Sequence, residues 1–160
     1  MCGILGYFFK QNYAFDHLQL ITNLDTLSRR GPDHKNYKLE KINNNNIFLG
    51  HTRLSILELS DLGNQPFYDH NNILVFNGEI YNHNNLRTNY NSNNFKSSSD
   101  TETLFYLLKN QQIDEVLTKI EGMFAFCFLD KNKNKLYLAR DRAGEKPVYL
   151  YLSDNCFAFS

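Results

Sequence analysis

Met123-Phe124-Ala125-Phe126-Cys127-Phe128-Leu129 reads as a β-strand without a single polar side chain. Successive side chains of a strand point to opposite faces, so Phe124, Phe126 and Phe128 share one face and Ala125, Cys127 and Leu129 the other. A strand that is apolar on both faces needs cover on both sides. This segment therefore belongs in the middle of a layered structure, with a packing partner above and below it.

Toward the C-terminus, residues 130–135 read as a hairpin connection, 136–139 as a strand and 142–147 as a longer loop. Two further strand-like runs follow at 148–152 and 156–159. Toward the N-terminus, residues 114–120 suggest a turn or two of helix. Residues 101–109 form a more secure helix, with Leu104, Phe105, Leu107 and Leu108 apolar and Ser99 or Asp100 available as N-cap. A short helix is expected at 82–89, and a strand at 73–76 runs into Asn77-Gly78. Strands are expected at 47–51 and 54–59. In 14–28 the recurrence of Phe15, Leu18, Ile21, Leu24 and Leu27 predicts an amphipathic helix, which Gly31 and Pro32 end. Residues 2–9 are a short apolar strand. At least seven strands and two or three helices point to stacked sheets with helices outside, an α+β fold.

At 160 residues, 42% of them hydrophobic, the chain is large enough for one domain with a substantial core. Its zero formal charge and pI of about 7.0 offer no electrostatic attraction to nucleic acid or an anionic membrane. No stretch approaches the length of a membrane span. Cys2, Cys127 and Cys156 are widely spaced and odd in number, which argues against a disulfide framework and for a reducing compartment, the cytoplasm. Asparagine runs at Asn43 to Asn46 and at Asn91, Asn93 and Asn94 read as solvated loops. The five histidines show no ligand spacing, so no metal is expected. There is no P-loop and no Rossmann glycine pattern.

Cys2 is the residue that draws attention to chemistry. Initiator methionine is normally removed before a small second residue, which would leave a free α-amine beside the thiol, with a reference pKa of about 8. One residue could then supply nucleophile and base together. By itself this competes with an ordinary buried cysteine at the head of a strand.

Further segments occur in order: Cys2-Gly3-Ile4, Arg30-Gly31-Pro32-Asp33, Gly50-His51-Thr52-Arg53-Leu54-Ser55-Ile56 and Asn77-Gly78-Glu79-Ile80-Tyr81-Asn82. Ser99-Asp100-Thr101-Glu102, Glu121-Gly122-Met123-Phe124-Ala125-Phe126 and Arg140-Asp141 with Gly144 and Lys146-Pro147 follow. Over residues 2–159 this series resembles the N-terminal glutaminase domain of the glutamine-hydrolysing asparagine synthetases. These are class II glutamine amidotransferases of the N-terminal-nucleophile hydrolase superfamily. The resemblance implies a four-layer αββα sandwich of two mainly antiparallel sheets. It implies Cys2 as nucleophile, Asn77 and Gly78 as oxyanion donors, Arg53 as the clamp on the α-carboxylate of L-glutamine and Asp100 as acceptor of its α-ammonium. Glu79 would frame that same end, while Leu54 and Ile56 would line the pocket.

Each residue also has a plainer reading: Arg53 as a surface ion-pair former, Asp100 as a helix cap, Asn77-Gly78 as a turn. Arg30 and Asp33 read as a structural brace near the first strand, Arg140 and Asp141 as an ion pair or loop brace, and His51 as a structural histidine. The resemblance places the glutaminase domain at 2–160 and implies a synthetase domain beyond it in the same polypeptide, using ATP and Mg2+. No cofactor is expected in this domain, and a homodimer is left open. The pattern departs from the family at Arg29, Arg142, Ala143 and Val148, none of them in the expected pocket. A glutaminase serving another synthase, or a non-catalytic domain of the same fold, are the competing readings. The presence of Cys2, Arg53, Asn77 and Asp100 together speaks against the second.

Overall fold

The computed structural model describes residues 1–90 and 94–160; Asn91 and Asn93 of the asparagine-rich stretch lie outside the described residues. Among the described residues, nine strands form two antiparallel sheets. Gly3–Phe9 (β1), His34–Ile42 (β2), Asn45–Arg53 (β3), Leu150–Leu152 (β8) and Cys156–Phe159 (β9) make a five-stranded sheet in the order β2-β3-β1-β9-β8. Phe67–Tyr68 (β4), Asn72–Ile80 (β5), Gly122–Asp130 (β6) and Lys135–Arg140 (β7) make a four-stranded one in the order β4-β5-β6-β7.

The two faces of β6 are covered as its composition requires. Ala125, Cys127 and Leu129 meet Ile73 and Val75 of β5, Ile4 of β1 and Ile47 and Leu49 of β3 in the core between the sheets. Phe124, Phe126 and Phe128 meet the outer helices, Asp100–Asn110 (α3) and Ile113–Lys119 (α4), through Leu104, Leu108 and Val116. The short helix His83–Arg87 (α2) adds Leu86 to that layer. On the opposite outer face, Leu20 and Leu24 of His17–Asp25 (α1) pack on Leu5, Phe9 and Phe48. The result is the expected αββα sandwich. Each fully buried Phe or Leu contributes roughly 1.5–3 kcal/mol relative to exposure, so three cores bind the four layers together.

Several elements differ from expectation, each for a physical reason. Residues 54–59 form a loop rather than a strand. The Arg53 guanidinium gathers the carbonyls of Glu58 and Ser60, curling the segment back, and Leu59 is left 78% exposed. Residues 34–42, HKNYKLEKI, form edge strand β2 despite their charges. An edge strand pairs on one side only, and its charged side chains stay at the surface. The turn joining it to β3 is Asn43-Asn44, with φ of 49° and 65°. Asparagine tolerates these left-handed angles, which a two-residue hairpin turn needs, so part of that run is turn chemistry rather than featureless loop. Helix α1 is shorter than expected and begins after Asp16, whose side chain accepts from Leu18 N–H. Its buried stripe runs through Leu20 and Leu24, leaving Leu18 70% exposed. Asn77-Gly78 is not a turn either, because β5 continues through it to Ile80.

Candidate active site

Strand alternation determines which side chains meet. Ile4, Leu49, Val75 and Ala125 face the space between the sheets, so two-residue spacing directs Cys2, Arg53, Asn77 and Glu79 to that same side. Register brings them to one end: Gly3 pairs with Thr52 across β1 and β3, and Asn77 with Ala125 across β5 and β6. Here the sandwich opens into a cleft. All eight residues singled out by the sequence line it: Cys2, Arg53, Leu54, Ile56, Asn77, Gly78, Glu79 and Asp100.

Cys2 lies just ahead of β1. Its Sγ accepts from Leu54 N–H at 3.4 Å, and its carbonyl accepts from Arg30 Nε at 3.2 Å. Asp33 receives Ser55 N–H at 2.7 Å, so the Arg30–Asp33 segment braces both the start of β1 and the loop after β3. Burial pushes the Cys2 thiol above its ordinary value; the Leu54 N–H, the amino terminus and Arg53 pull the other way. The resting group is thus a thiol, and attack by it requires a base. Met1 also lines the cleft, its sulfur 3.0 Å from Lys146 Nζ.

Arg53 is only 6% exposed, which removes its reading as a surface ion-pair former. Its Nη1 donates to Ser60 O and Asn64 Oδ1, both at 2.8 Å, and its Nη2 to Glu58 O. Gly63 lies against the guanidinium, where an added Cβ would collide with Nη2. Neutral acceptors orient this cation without cancelling its charge, so it remains able to attract an anion.

Asp100 opens α3, but the cap is Ser99, which accepts from Glu102 N–H at 3.1 Å. Asp100 Oδ2 instead accepts from Ile80 N–H at 2.9 Å. Burial pushes its carboxyl up to about 6; N–H groups of Ile80 and Thr101 oppose this and the Glu79 charge adds to it. Among the described residues this carboxylate forms no salt bridge, and a cation arriving in the cleft would stabilise it. Gly78 sits on β5 opposite Phe124, and an added Cβ would run into Met123 O. Its requirement is close backbone approach inside a strand, not a bend.

Among the lining residues not singled out from the sequence are Gln65, Lys146 and Glu58. Gln65, 4% exposed, donates to Phe76 O at 3.1 Å and accepts from Phe76 N–H at 2.7 Å. Lys146 is 4% exposed and lines the cleft, with its Nζ beside the Met1 sulfur. Glu58 bridges two loops. Lys146-Pro147 lies within one of the quoted segments, so that signal was present; Gln65 and Glu58 carry none without a partner to show what they touch. Asp141 is the loop brace, accepting from the N–H groups of Phe124, Glu145 and Lys146. His51 is fully buried, its Nε2 is 3.1 Å from Phe76 O, and burial lowers its pKa to about 3. It ties β3 to β5 and is unsuited to proton transfer near neutrality. Among the described residues, no group of three or more His, Cys, Asp or Glu is placed to hold a metal ion, and no helix is long and apolar enough to cross a membrane.

A family model described as a glutamine amidotransferase domain matches residues 1–160. The chain is 38% identical over 150 residues to a probable glutamine-hydrolysing asparagine synthetase of Acanthamoeba polyphaga mimivirus, covering 93% of this chain and 27% of that protein. It is 34% identical over 177 residues to a putative one of Methanocaldococcus jannaschii, covering 100% and 34%. The chain thus spans about a third or less of these relatives' length. Among solved structures, glutamine phosphoribosylpyrophosphate amidotransferase from B. subtilis shares the fold, with a TM-score of 0.76 at 17% identity over 98% of this chain and 41% of that one.

Proposed function

From the premise that this chain belongs to the glutamine amidotransferase domain family, we propose that it hydrolyses L-glutamine through a thioester on Cys2 and delivers the ammonia to a synthetase domain. The observation that carries the reading is one cleft holding a thiol, an uncancelled guanidinium and a buried carboxylate of raised pKa. The guanidinium and the carboxylate are complementary to the two charges of an α-amino acid head.

In the proposed reaction Met1 has been removed and the Cys2 α-amine is neutral. The amine takes the thiol proton as Sγ attacks the side-chain amide carbon of glutamine. The carbonyl oxygen becomes an oxyanion, facing the Asn77 carboxamide and Gly78 N–H; such a donor is worth about 2.7–4 kcal/mol of transition-state stabilisation. The C–N bond then breaks, the protonated amine returns its proton to the nitrogen, and NH3 leaves. Water, deprotonated by the same amine, attacks the thioester and releases glutamate with the thiol restored. Arg53 holds the α-carboxylate and Asp100 the α-ammonium, while Glu79, Leu54 and Ile56 bound the pocket.

The names of the relatives support asparagine synthesis as the use of the ammonia; a synthetase domain of the same polypeptide using ATP and Mg2+, with aspartate or another carboxylate as acceptor, belongs to the same proposal. No step above runs through them. A reducing, cytoplasmic setting that keeps Cys2 a free thiol belongs to the same proposal.

The test is intact-mass analysis combined with labelling by a glutamine-like chloroketone. The purified protein is expected to lack Met1 and to carry the label on Cys2 alone. Cys127, buried and with its thiol pushed far above the ordinary value, stays unmodified. Glutamine hydrolysis by protein that retains Met1, or labelling at Cys127, would refute the mechanism.

A further inference from the structure

Glu58 stands in the loop between Arg53 and the 3-10 turn at Asp61–Gly63, and its two carboxylate oxygens face different partners. Oε1 accepts from Ser60 N–H at 3.0 Å and Ser60 Oγ at 2.7 Å. Oε2 accepts from Ser98 N–H at 3.0 Å and Ser98 Oγ at 3.1 Å. The Glu58 backbone carbonyl receives Arg53 Nη2, and the Ser60 carbonyl receives Arg53 Nη1 at 2.8 Å. One side chain therefore joins the loop that orients Arg53 to the loop that ends at Asp100, two residues after Ser98.

The far side of that second loop is already rigid. Glu102 Oε2 accepts from Ser97 N–H at 2.8 Å, and Arg87 donates to the carbonyls of Ser97, at 2.6 Å, and Ser99. The Arg53 loop is braced at Ser55 by Asp33, and Glu58 ties its far end to the second loop. A second and longer link, Gln65 Nε2 to Thr101 Oγ1 at 3.4 Å, runs beneath it. The Ser60 hydroxyl, with the N–H groups of Ser60 and Ser98, draws the Glu58 carboxyl down to about 2, so it is ionised at any working pH.

We propose that Glu58 is a positioning residue that sets the spacing between Arg53 and Asp100, and so makes the cleft selective for an amide carrying a complete α-amino acid head. The inference rests on the glutaminase reading above. A substrate that engages both charged poles depends on their separation; one that engages only Arg53 does not. Loss of the bridge accordingly penalises L-glutamine more than its analogue without the α-amine, the monoamide of glutaric acid.

The experiment compares kcat and KM for these two substrates in the processed wild-type protein, in Glu58→Gln and in Ser98→Ala. Glu58→Gln keeps the shape but sets an NH2 group against one pair of donors. Its kcat/KM for L-glutamine should fall tenfold or more, chiefly through KM, with less than a threefold fall for the des-amino analogue. Ser98→Ala, at an exposed position, removes the hydroxyl that reaches Glu58 Oε2 and Leu57 O and should shift the ratio in the same direction by a smaller factor. The double variant should lose less than the product of the two single losses. Equal losses on both substrates would reveal a merely structural role, and unchanged selectivity would overturn the proposal alone. A wild-type protein that neither binds nor hydrolyses glutamine would overturn the glutaminase reading and this inference with it.

Discussion

Asp100 should cause glutamine binding to fail in acid, at a pH well above that of an ordinary aspartate. Its carboxyl is pushed from 3.8 up to about 6, first by burial and further by the Glu79 charge. The shift of about 2 units corresponds to roughly 3 kcal/mol of penalty on the carboxylate in the empty cleft. Binding of an α-ammonium needs that carboxylate ionised, so affinity is present above the raised pKa and is lost as pH falls through it. A group titrating at about 6 is roughly 90% ionised at pH 7 and roughly 10% ionised at pH 5. The Kd for glutamine should therefore rise about tenfold over that interval, where the substrate's own two charges do not change. The Cys2→Ala variant lacks the attacking thiol and so keeps the γ-amide intact, and calorimetry at pH 5, 6 and 7 reads binding without turnover. Asp100→Asn in that background should bind weakly at pH 7 and show almost no further change down to pH 5. A flat Kd in the Cys2→Ala protein, or an unchanged slope after Asp100→Asn, would refute the assignment of the ammonium site to Asp100.

Arg53→Ala should raise KM for glutamine by tenfold or more with a smaller change in kcat, since a charged hydrogen bond worth about 1.5–3 kcal/mol acts in ground and transition states alike; steady-state kinetics decides. Asn77→Ala should do the reverse, lowering kcat by about 10²–10³-fold with KM little changed, because the oxyanion exists only after attack. His51, held neutral by burial with its pKa lowered to about 3, makes stability fall as pH drops from 6.5 toward 3, where the unfolded chain binds the extra proton. Urea midpoints between pH 7 and pH 5 should fall less steeply in His51→Gln than in the wild type. The raised carboxyl of Asp100 works in the opposite sense in both proteins, so the difference between them isolates the histidine.

Composition and local pattern were sufficient for the layers. MFAFCFL could only be an inner strand, because no two-layer arrangement covers both of its faces, and β6 is that strand. The family resemblance carried by the quoted segments likewise named eight residues that do line one cleft. What local pattern could not supply was anything decided by a distant partner. HKNYKLEKI carries no apolar alternation strong enough to mark a strand, and it becomes one because β3 offers it a ladder. Residues 54–59 have strand-like composition, yet Arg53 claims their carbonyls first. Asp100 looks like a helix cap in sequence, but Ser99 caps the helix and frees the carboxylate for Ile80 N–H and the cleft. Glu58 shows the same division most sharply: its neighbour Ser60 lies two residues away, while Ser98 lies forty away and becomes a neighbour only when the two loops are brought to the same rim. The sequence determined which residues carry charge, a thiol or an apolar face. The tertiary structure decided which charges were left uncancelled, because that depends on every donor and acceptor that folding brings within about 3 Å.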